Sequence, residues 1–229
     1  MSRLARNAQP GALRRALALY EGTRSRAHIK VRWRTCPFSV VSSAMPASGR
    51  ILEVGCGHGV FSTYLAMSAP ARRVLGIDIA PDKIAAARGA GERARARGLD
   101  LDFALVRPGE MPDGPWDAIA IVDVLYLLDP GTQRAVLEAC AARLAPGGVL
   151  AVKEMDLQPE WKLAWCAFQE WLAVRVARIT TGATLRFVDP REMATWLVAM
   201  GLAVERHPVH AGYLHPHHLT LARRAAGGG

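Results

Sequence analysis

Short apolar runs alternate with longer stretches of helical spacing through the middle of this 229-residue chain. Apolar runs of this length predict buried strands, and the stretches between them predict helices. Alternating strands and helices are typical of an α/β fold built on a parallel sheet. The expected strands of this region are Arg50–Val54, Arg73–Ile77, Asp102–Val106, Trp116–Val122 and Val149–Lys153.

Local signals mark where the helices begin and end. Proline suits the first turn of a helix, and a preceding aspartate can cap it. Helices are therefore expected from Ala80-Pro81 to about Gly98, from Asp129-Pro130 to Leu144, and from Asp189-Pro190 to Gly201. Further short helices are expected at Leu13–Tyr20, just before Pro46, and at Val60–Ala69, and two closing strands at Ala203–His210 and His218–Arg223.

The most informative motif follows the first strand. Its end leads into Gly55-Cys56-Gly57-His58-Gly59, and the second strand ends in Asp78. Glycines let the backbone approach a ligand, and an acid at a strand end can accept hydrogen bonds from a ribose. A dinucleotide site typically has the spacing G-x-G-x-x-G, whereas here the third glycine comes one residue earlier and Glu53 precedes the first by two.

The pattern Glu53-x-Gly55-x-Gly57-x-Gly59 resembles the first motif of class I S-adenosylmethionine (SAM) methyltransferases, and Asp78 and the turn Leu144–Gly148 support that resemblance. It covers residues 48 to 156. It implies a doubly wound, seven-stranded, mostly parallel sheet in the order 3-2-1-4-5-7-6, with the last strand antiparallel. It also implies a basic helical cap at 1–47, a SAM-binding domain at 48–224 with a helical insertion at 157–187, and a disordered tail at 225–229. A glycine-rich turn without a ligand is the alternative.

The resemblance implies SAM as the cofactor. The loop glycines would lie against its methionine part, Glu53 would order the loop, and Asp78 would accept both ribose hydroxyls or else only cap the next helix. Arg107 stands where many relatives have an aspartate, and arginine cannot accept a hydrogen bond, so backbone groups or Glu110 would hold the adenine. The expected cofactor contacts are Glu53, Gly55, Cys56, Gly57, Gly59, Asp78, Ile79, Arg107, Glu110 and Asp123. Cys56 fits there as a small residue rather than as a nucleophile.

Candidate residues for the methyl acceptor lie later in the chain. The tryptophan-rich stretch Gln158–Thr180 predicts either core packing or a lid over an apolar acceptor. Acceptor contacts are expected from Tyr126, Trp161, Trp165 and Tyr213. His215, His217 and Glu154 are candidate general bases, since histidine titrates near neutral pH. Structural roles for the histidines are also open. A His-x-His metal site is a rival without a locally spaced third ligand, so no metal is predicted.

Composition narrows the class of protein. The formal charge is +9, and basic residues cluster between Arg24 and Arg34, which predicts contact with an anionic membrane surface, an acidic carrier protein or an anionic acceptor. A solvated basic face explains the cluster equally well. The four cysteines are widely scattered, which indicates reduced thiols. The chain has no run of 18 apolar residues, so no membrane-spanning helix is predicted. A cytoplasmic location is therefore expected.

Several functions fit these features. A methyltransferase for a small, apolar or lipid-like acceptor, in natural-product or lipid biosynthesis, is favoured. Nucleic-acid methylation is disfavoured because the fourth strand ends in Val122-Asp123-Val124-Leu125-Tyr126 rather than in an Asn-Pro-Pro-Tyr type signature. A non-catalytic SAM-binding module and, more remotely, a nicotinamide oxidoreductase stay open. The sequence predicts no oligomeric state.

Overall fold

The computed structural model describes residues 11–155, 188–209, 213 and 217–227. Within these ranges, seven strands form one sheet in the order β3-β2-β1-β4-β5-β7-β6. The strands are β1 Ser48–Val54, β2 Ala71–Asp78, β3 Asp100–Leu105, β4 Trp116–Val122, β5 Leu144–Met155, β6 Ala203–Pro208 and β7 His217–Arg223. The first five strands run parallel to one another, and β7 runs antiparallel to both of its neighbours, β5 and β6. The predicted fold class and strand order are confirmed.

The described helices surround this sheet. They are α1 Ala12–Leu17, α2 Thr23–Thr35, α3 Phe38–Ser43, α4 Val60–Ser68, α5 Pro81–Arg95, α6 Pro130–Ala142 and α7 Pro190–Ala199. Proline stands in the first turn of α5, α6 and α7, as predicted. Asp129 caps α6 by accepting a hydrogen bond from the backbone N–H of Thr132 at 3.1 Å, and Asp189 caps α7 in the same way.

Several element bounds differ from the prediction, and helix α2 lies where no helix was predicted. Two of the differences concern α1 and β5. Helix α1 ends at Leu17 rather than at Tyr20, whose hydroxyl instead reaches Gly59 and Thr63 on the far side of the glycine loop. Strand β5 begins at Leu144, because this residue pairs with Trp116 of β4 before the register shifts.

The sheet separates two hydrophobic clusters. Side chains alternate between the two faces of a strand, so Ile51 belongs to one cluster and Leu52 to the other. The cluster of Ile51 includes Phe38 and Phe61 from α3 and α4, while that of Leu52 includes residues of α6 and α7. Burial on both faces explains why β4 reads as a continuous apolar run from Ala118 to Val122, after the exposed Asp117.

The N-terminal helices share the first of these clusters with the sheet. Trp33 of α2 packs edge-on against Tyr64, with ring centroids 5.2 Å apart, and Phe38 stacks on Phe61 at the same distance. Arg72 at the start of β2 is buried and donates hydrogen bonds to the Ser42 hydroxyl at 2.8 Å and to the Ser68 hydroxyl at 3.0 Å. These contacts fix the cap on α4, directly behind the glycine loop.

Two predicted segments lie wholly or partly beyond this description. The insertion at 157–187 is outside the described residues. Of the tail predicted at 225–229, Ala225 is held by a hydrogen bond from the Gly147 N–H to its carbonyl at 3.1 Å, so order extends into that tail. None of the described helices combines the length and apolar character needed to cross a membrane.

Candidate cofactor and acceptor site

The loop after β1 bends tightly towards β2. Gly55, Gly57 and Gly59 have φ values of 73°, 53° and 74°, a region that other L-residues rarely adopt. The N–H groups of Gly55 and Cys56 both donate to the carbonyl of Ile77, at 2.8 and 2.9 Å. The sequence therefore specifies glycine here because of the backbone conformation, and the turn brings the loop over the end of β2.

Glu53 lies beneath this loop on β1. It is 3% exposed and accepts a hydrogen bond from the hydroxyl of Ser62 on α4. Burial raises the pKa of Glu53 to about 7, although the bond from Ser62 acts in the opposite direction. The contact joins β1 to α4 across the loop, which is the geometry that a loop-ordering role requires. Burial also raises the pKa of the neighbouring Cys56 thiol, which disfavours a nucleophilic thiolate.

Asp78 connects the glycine loop to the end of β2. Its Oδ2 accepts a hydrogen bond from the Gly57 N–H at 2.7 Å, and its Oδ1 accepts one from the Ala80 N–H at 2.9 Å. The second bond is a local contact with Ala80, the N-cap residue of α5, and no side chain caps that helix, so the alternative role of Asp78 as its cap is not what the structure shows. Each carboxylate oxygen can accept more than one hydrogen bond, so both retain the capacity to accept from ribose hydroxyls.

An exposed apolar surface adjoins Asp78. Ile79 is 58% exposed, and Leu105 at the end of neighbouring β3 is 47% exposed. Leu105 pairs with Asp78 in the sheet, so its position next to the acid follows from the strand register. The sequence analysis missed Leu105, although its place at the carboxyl end of a parallel strand is a usable signal.

The turn after β3 holds the two residues that were expected near adenine. The N–H of Arg107 donates to the Glu110 carboxylate at 2.9 Å, and the N–H of Glu110 donates to the Arg107 carbonyl at 3.0 Å. Both residues are exposed. Glu110 thus stabilises this turn, and its predicted contact with adenine stays a prediction.

Asp123, directly after β4, is held between two cations. Its Oδ2 lies 2.8 Å from a guanidinium nitrogen of Arg32 on α2, and its Oδ1 lies 2.5 Å from Nζ of the fully buried Lys153 on β5. Burial alone would raise the pKa of Asp123, but Lys153 and Arg32 outweigh it and hold that pKa well below its usual range. Asp123 is therefore ionised, and it joins α2, β4 and β5.

Glu154 lies one residue beyond Lys153 on β5. Its Oε1 accepts hydrogen bonds from the backbone N–H groups of Val124 and Leu125, at 3.0 and 2.9 Å. Within the described ranges its buried Oε2 has no hydrogen-bond partner. Burial, and then the charge of Asp123, raise the pKa of Glu154 to about 7. The two backbone bonds also fix the short 3₁₀ turn Leu125–Leu127, on which Tyr126 lies half-buried.

His217, a predicted base, has a structural contact. Its Nε2 lies 2.8 Å from the carbonyl oxygen of Thr35, and a carbonyl can only accept, so Nε2 carries the proton. The bond ties β7 to the end of α2. Nδ1 is then the basic nitrogen of the neutral ring, so the role of His217 as a general base stays a prediction. Tyr213 is buried and meets the His217 ring edge-on at 5.5 Å. The predicted residues His215, Trp161 and Trp165 lie outside the described residues.

The part of the chain that the structure describes holds no group of three His, Cys, Asp or Glu side chains suited to a metal ion. The described residues place a glycine loop after the first strand of a parallel sheet. After the second strand they place the carboxylate of Asp78, which is hydrogen-bonded to that loop. These two features define a Rossmann-like nucleoside-binding domain, in which the ligand lies beyond the carboxyl ends of the strands.

Comparison with known proteins specifies the family. Residues 51–148 match a family model described as a methyltransferase domain. Over 170 residues the chain is 33% identical to a ubiquinone biosynthesis O-methyltransferase of Xylella fastidiosa (strain 9a5c), covering 72% of this chain and 65% of that protein. The chain thus spans just under two thirds of the curated relative's length. Residues 51–148 therefore form a methyltransferase domain, and the chain is similar to class I SAM-dependent methyltransferases.

Solved structures agree on the fold. An O-methyltransferase family protein from Burkholderia thailandensis is 18% identical and superposes with a TM-score of 0.69 over 90% of this chain and 59% of its own. A magnesium protoporphyrin IX methyltransferase from Synechocystis PCC 6803, solved with bound SAH, is 16% identical and has a TM-score of 0.67 over 93% of both chains. At these identities the likeness concerns the fold alone.

Proposed function

We propose that this protein uses SAM to methylate a hydroxyl group of a small, lipid-like acceptor. The proposal rests on the hydrogen bond between Asp78 and the glycine loop, in which Oδ2 of Asp78 lies 2.7 Å from the Gly57 nitrogen. This bond places a carboxylate beside a partly exposed backbone turn at one edge of the sheet. The similarity to a ubiquinone biosynthesis O-methyltransferase of Xylella supports a hydroxyl on a lipid-like acceptor.

The residues at this edge fit a sulfonium nucleoside. Asp78 would accept hydrogen bonds from the ribose hydroxyls, and the exposed side chains of Ile79 and Leu105 would cover a face of the adenine. The glycine loop would lie against the amino-acid part. When bound, SAM supplies a methyl group on a positively charged sulfur, and the protein contributes binding and orientation.

Glu154 is the described residue that best fits the proton acceptor. In the proposed step the acceptor hydroxyl gives its proton to Oε2 of Glu154 while its oxygen forms the new bond to the methyl carbon. The bond from that carbon to sulfur breaks, and the electron pair stays on sulfur. A carboxyl group with its pKa near 7 is suited to accept a proton at neutral pH.

Glu154→Gln tests this role and keeps the two backbone hydrogen bonds that hold the 3₁₀ turn Leu125–Leu127. Glutamine can still accept the two backbone hydrogen bonds through its Oε1, but it is not a base. We expect turnover to fall about 10²–10⁴-fold, with SAM affinity unchanged. The assay follows label from methyl-labelled SAM into a short-chain prenylated phenol. Glu138→Gln, on the exposed face of α6, is the matched control. Full turnover in Glu154→Gln would rule out the base role.

Asp78→Ala tests the cofactor site separately by calorimetry. Hydrogen bonds to a charged group contribute about 1.5–3 kcal/mol each, so the Kd for SAM should rise about 10–100-fold or more. Asp100→Ala, on the exposed far end of β3, should leave the Kd unchanged. If the two variants bind SAM equally well, Asp78 does not hold the ribose.

The remaining partner predictions concern the basic helix α2. Arg26, Lys30 and Arg34 are exposed, and we propose that they face the anionic membrane surface or acidic carrier that presents the acceptor. A salt-sensitive association with vesicles of anionic lipid would support the membrane. A purely solvated basic face would leave the protein unbound at low salt. A cytoplasmic location belongs to the same proposal.

A further inference from the structure

Two histidines meet at the glycine loop and have no role in the function described so far. His58 lies within the loop, between Gly57 and Gly59, and His28 lies on α2. Their ring centroids are 4.6 Å apart, with the planes inclined at 45°. Among the described residues neither imidazole has a hydrogen-bond partner. Both therefore retain their nitrogen atoms for a ligand on the exposed side of the loop.

A third basic group lies over the same loop. Cδ of Lys83 on α5 is 4.0 Å from the position that a Cβ on Gly57 would take. Within the described ranges Lys83 forms no ion pair, in contrast to Arg32, which is one turn along α2 from His28 and is bound to Asp123. The site therefore contains three basic side chains close to Gly57, namely His28 of α2, His58 of the loop and Lys83 of α5.

Two acids also face this cluster. Asp78, whose oxygens accept hydrogen bonds from the Gly57 and Ala80 N–H groups, faces His58. Asp82, in the first turn of α5, also faces His58. Burial, followed by the charges of His58, Arg32 and Lys83, lowers the pKa of His28 to about 4. Burial and Lys83 likewise lower the pKa of His58, despite the two acids.

We propose that His28, His58 and Lys83 together bind a carboxylate, namely that of the amino-acid part of SAM. This inference rests on the proposed function. A carboxylate can accept hydrogen bonds from several donors at once, and charge-assisted hydrogen bonds are the strong ones. The open backbone at Gly57 leaves room for the group next to all three side chains.

The proposal has a thermodynamic consequence. An entering anion raises the pKa of a neighbouring imidazole, so the proposal predicts that binding is accompanied by proton uptake. By linkage, the affinity for SAM increases as the pH is lowered from 8 to 6, by at most about tenfold per pH unit for one proton.

The experiment compares SAM with decarboxylated SAM, which lacks only the carboxylate, by calorimetry on the full chain. The wild-type protein should bind SAM about 10–100-fold more tightly. The variant His28→Gln/His58→Gln should lose most of this preference while keeping its affinity for the decarboxylated ligand. His207→Gln, an exposed histidine of β6, is the matched control and should behave as the wild type. Titrations in buffers of different ionisation enthalpy should show proton uptake in the wild type and not in the double variant.

Either of two results would overturn the inference. Equal binding of the two ligands by the wild type would show that no carboxylate site exists. A double variant that loses both ligands equally would show that the histidines only shape the loop. The proposed function fails differently: neither ligand would bind to the wild-type protein, and no label would reach an acceptor.

Discussion

Replacing Gly59 by alanine tests why the glycine loop has its sequence. Gly59 stands at the start of α4 with φ at 74°. A Cβ built there would collide with the ring of Phe103 and would lie 3.2 Å from Cβ of Ala87. The carbonyl of Gly59 also accepts the hydrogen bond of Tyr20 at 2.9 Å, so a shift of the loop would disturb the cap.

The expected cost has two parts. An L-residue in the left-handed region costs about 1–2 kcal/mol relative to glycine. Forcing extra volume into a packed core costs about 1–3 kcal/mol more. Gly59→Ala should therefore lower the free energy of unfolding by about 2–5 kcal/mol, a large part of the total of about 5–15 kcal/mol typical of a domain.

Gly98 supplies the matched control for this prediction. Its φ is 78°, but nothing lies within 4 Å of the position that a Cβ would take. Gly98→Ala should thus cost only the conformational part, about 1–2 kcal/mol. Urea unfolding followed by circular dichroism measures both values, and calorimetry should show weaker SAM binding in Gly59→Ala alone. Equal losses of stability in the two variants would refute the steric argument.

Two further predictions concern buried charge. Arg72→Lys should lower the free energy of unfolding by about 2–4 kcal/mol, because an ammonium cannot replace the planar guanidinium that bonds Ser42 and several backbone carbonyls. The control is Arg73→Lys at the exposed next position, which should change the free energy of unfolding by less than about 0.5 kcal/mol. Glu53 has its pKa raised from 4.5 to about 7, so its contribution to stability is fully present below pH 4.5 and is lost as the pH rises through 7. The melting temperature of Glu53→Gln should therefore fall less between pH 5 and 8 than that of the wild type, and parallel pH profiles would contradict this.

Local patterns were sufficient to predict much of the sheet and the cofactor loop. Proline and aspartate at the starts of α6 and α7 act on atoms within a few residues, so the sequence shows them directly. The same holds for Gly55–Gly59, whose backbone conformation depends on the absence of a side chain. The place of Asp78 could be predicted because it ends an apolar strand, at the edge where ligands of parallel sheets bind, and its contact with the cofactor stays a prediction.

Contacts between distant segments could not be predicted in this way. His217 and Thr35 are 182 positions apart, and Arg32 and Asp123 are 91 apart, so no periodicity connects either pair. A histidine near the catalytic edge was a reasonable candidate base by chemistry alone. The structure adds that Nε2 of His217 donates to a carbonyl of the cap, a contact that the sequence does not show.

Helix α2 shows how one basic stretch can have two roles. His28, Arg32 and Thr35 follow the spacing i, i+4, i+7, which places them on one face of a helix. Along this face they meet His58, Asp123 and His217 in turn. The exposed cations Arg26, Lys30 and Arg34 lie elsewhere on the helix. A substitution on the first face should change cofactor binding or the packing of the cap, whereas one among the exposed cations should change only association with an anionic partner. The sequence cluster of basic residues therefore contains two surfaces, which only their partners in the fold can separate.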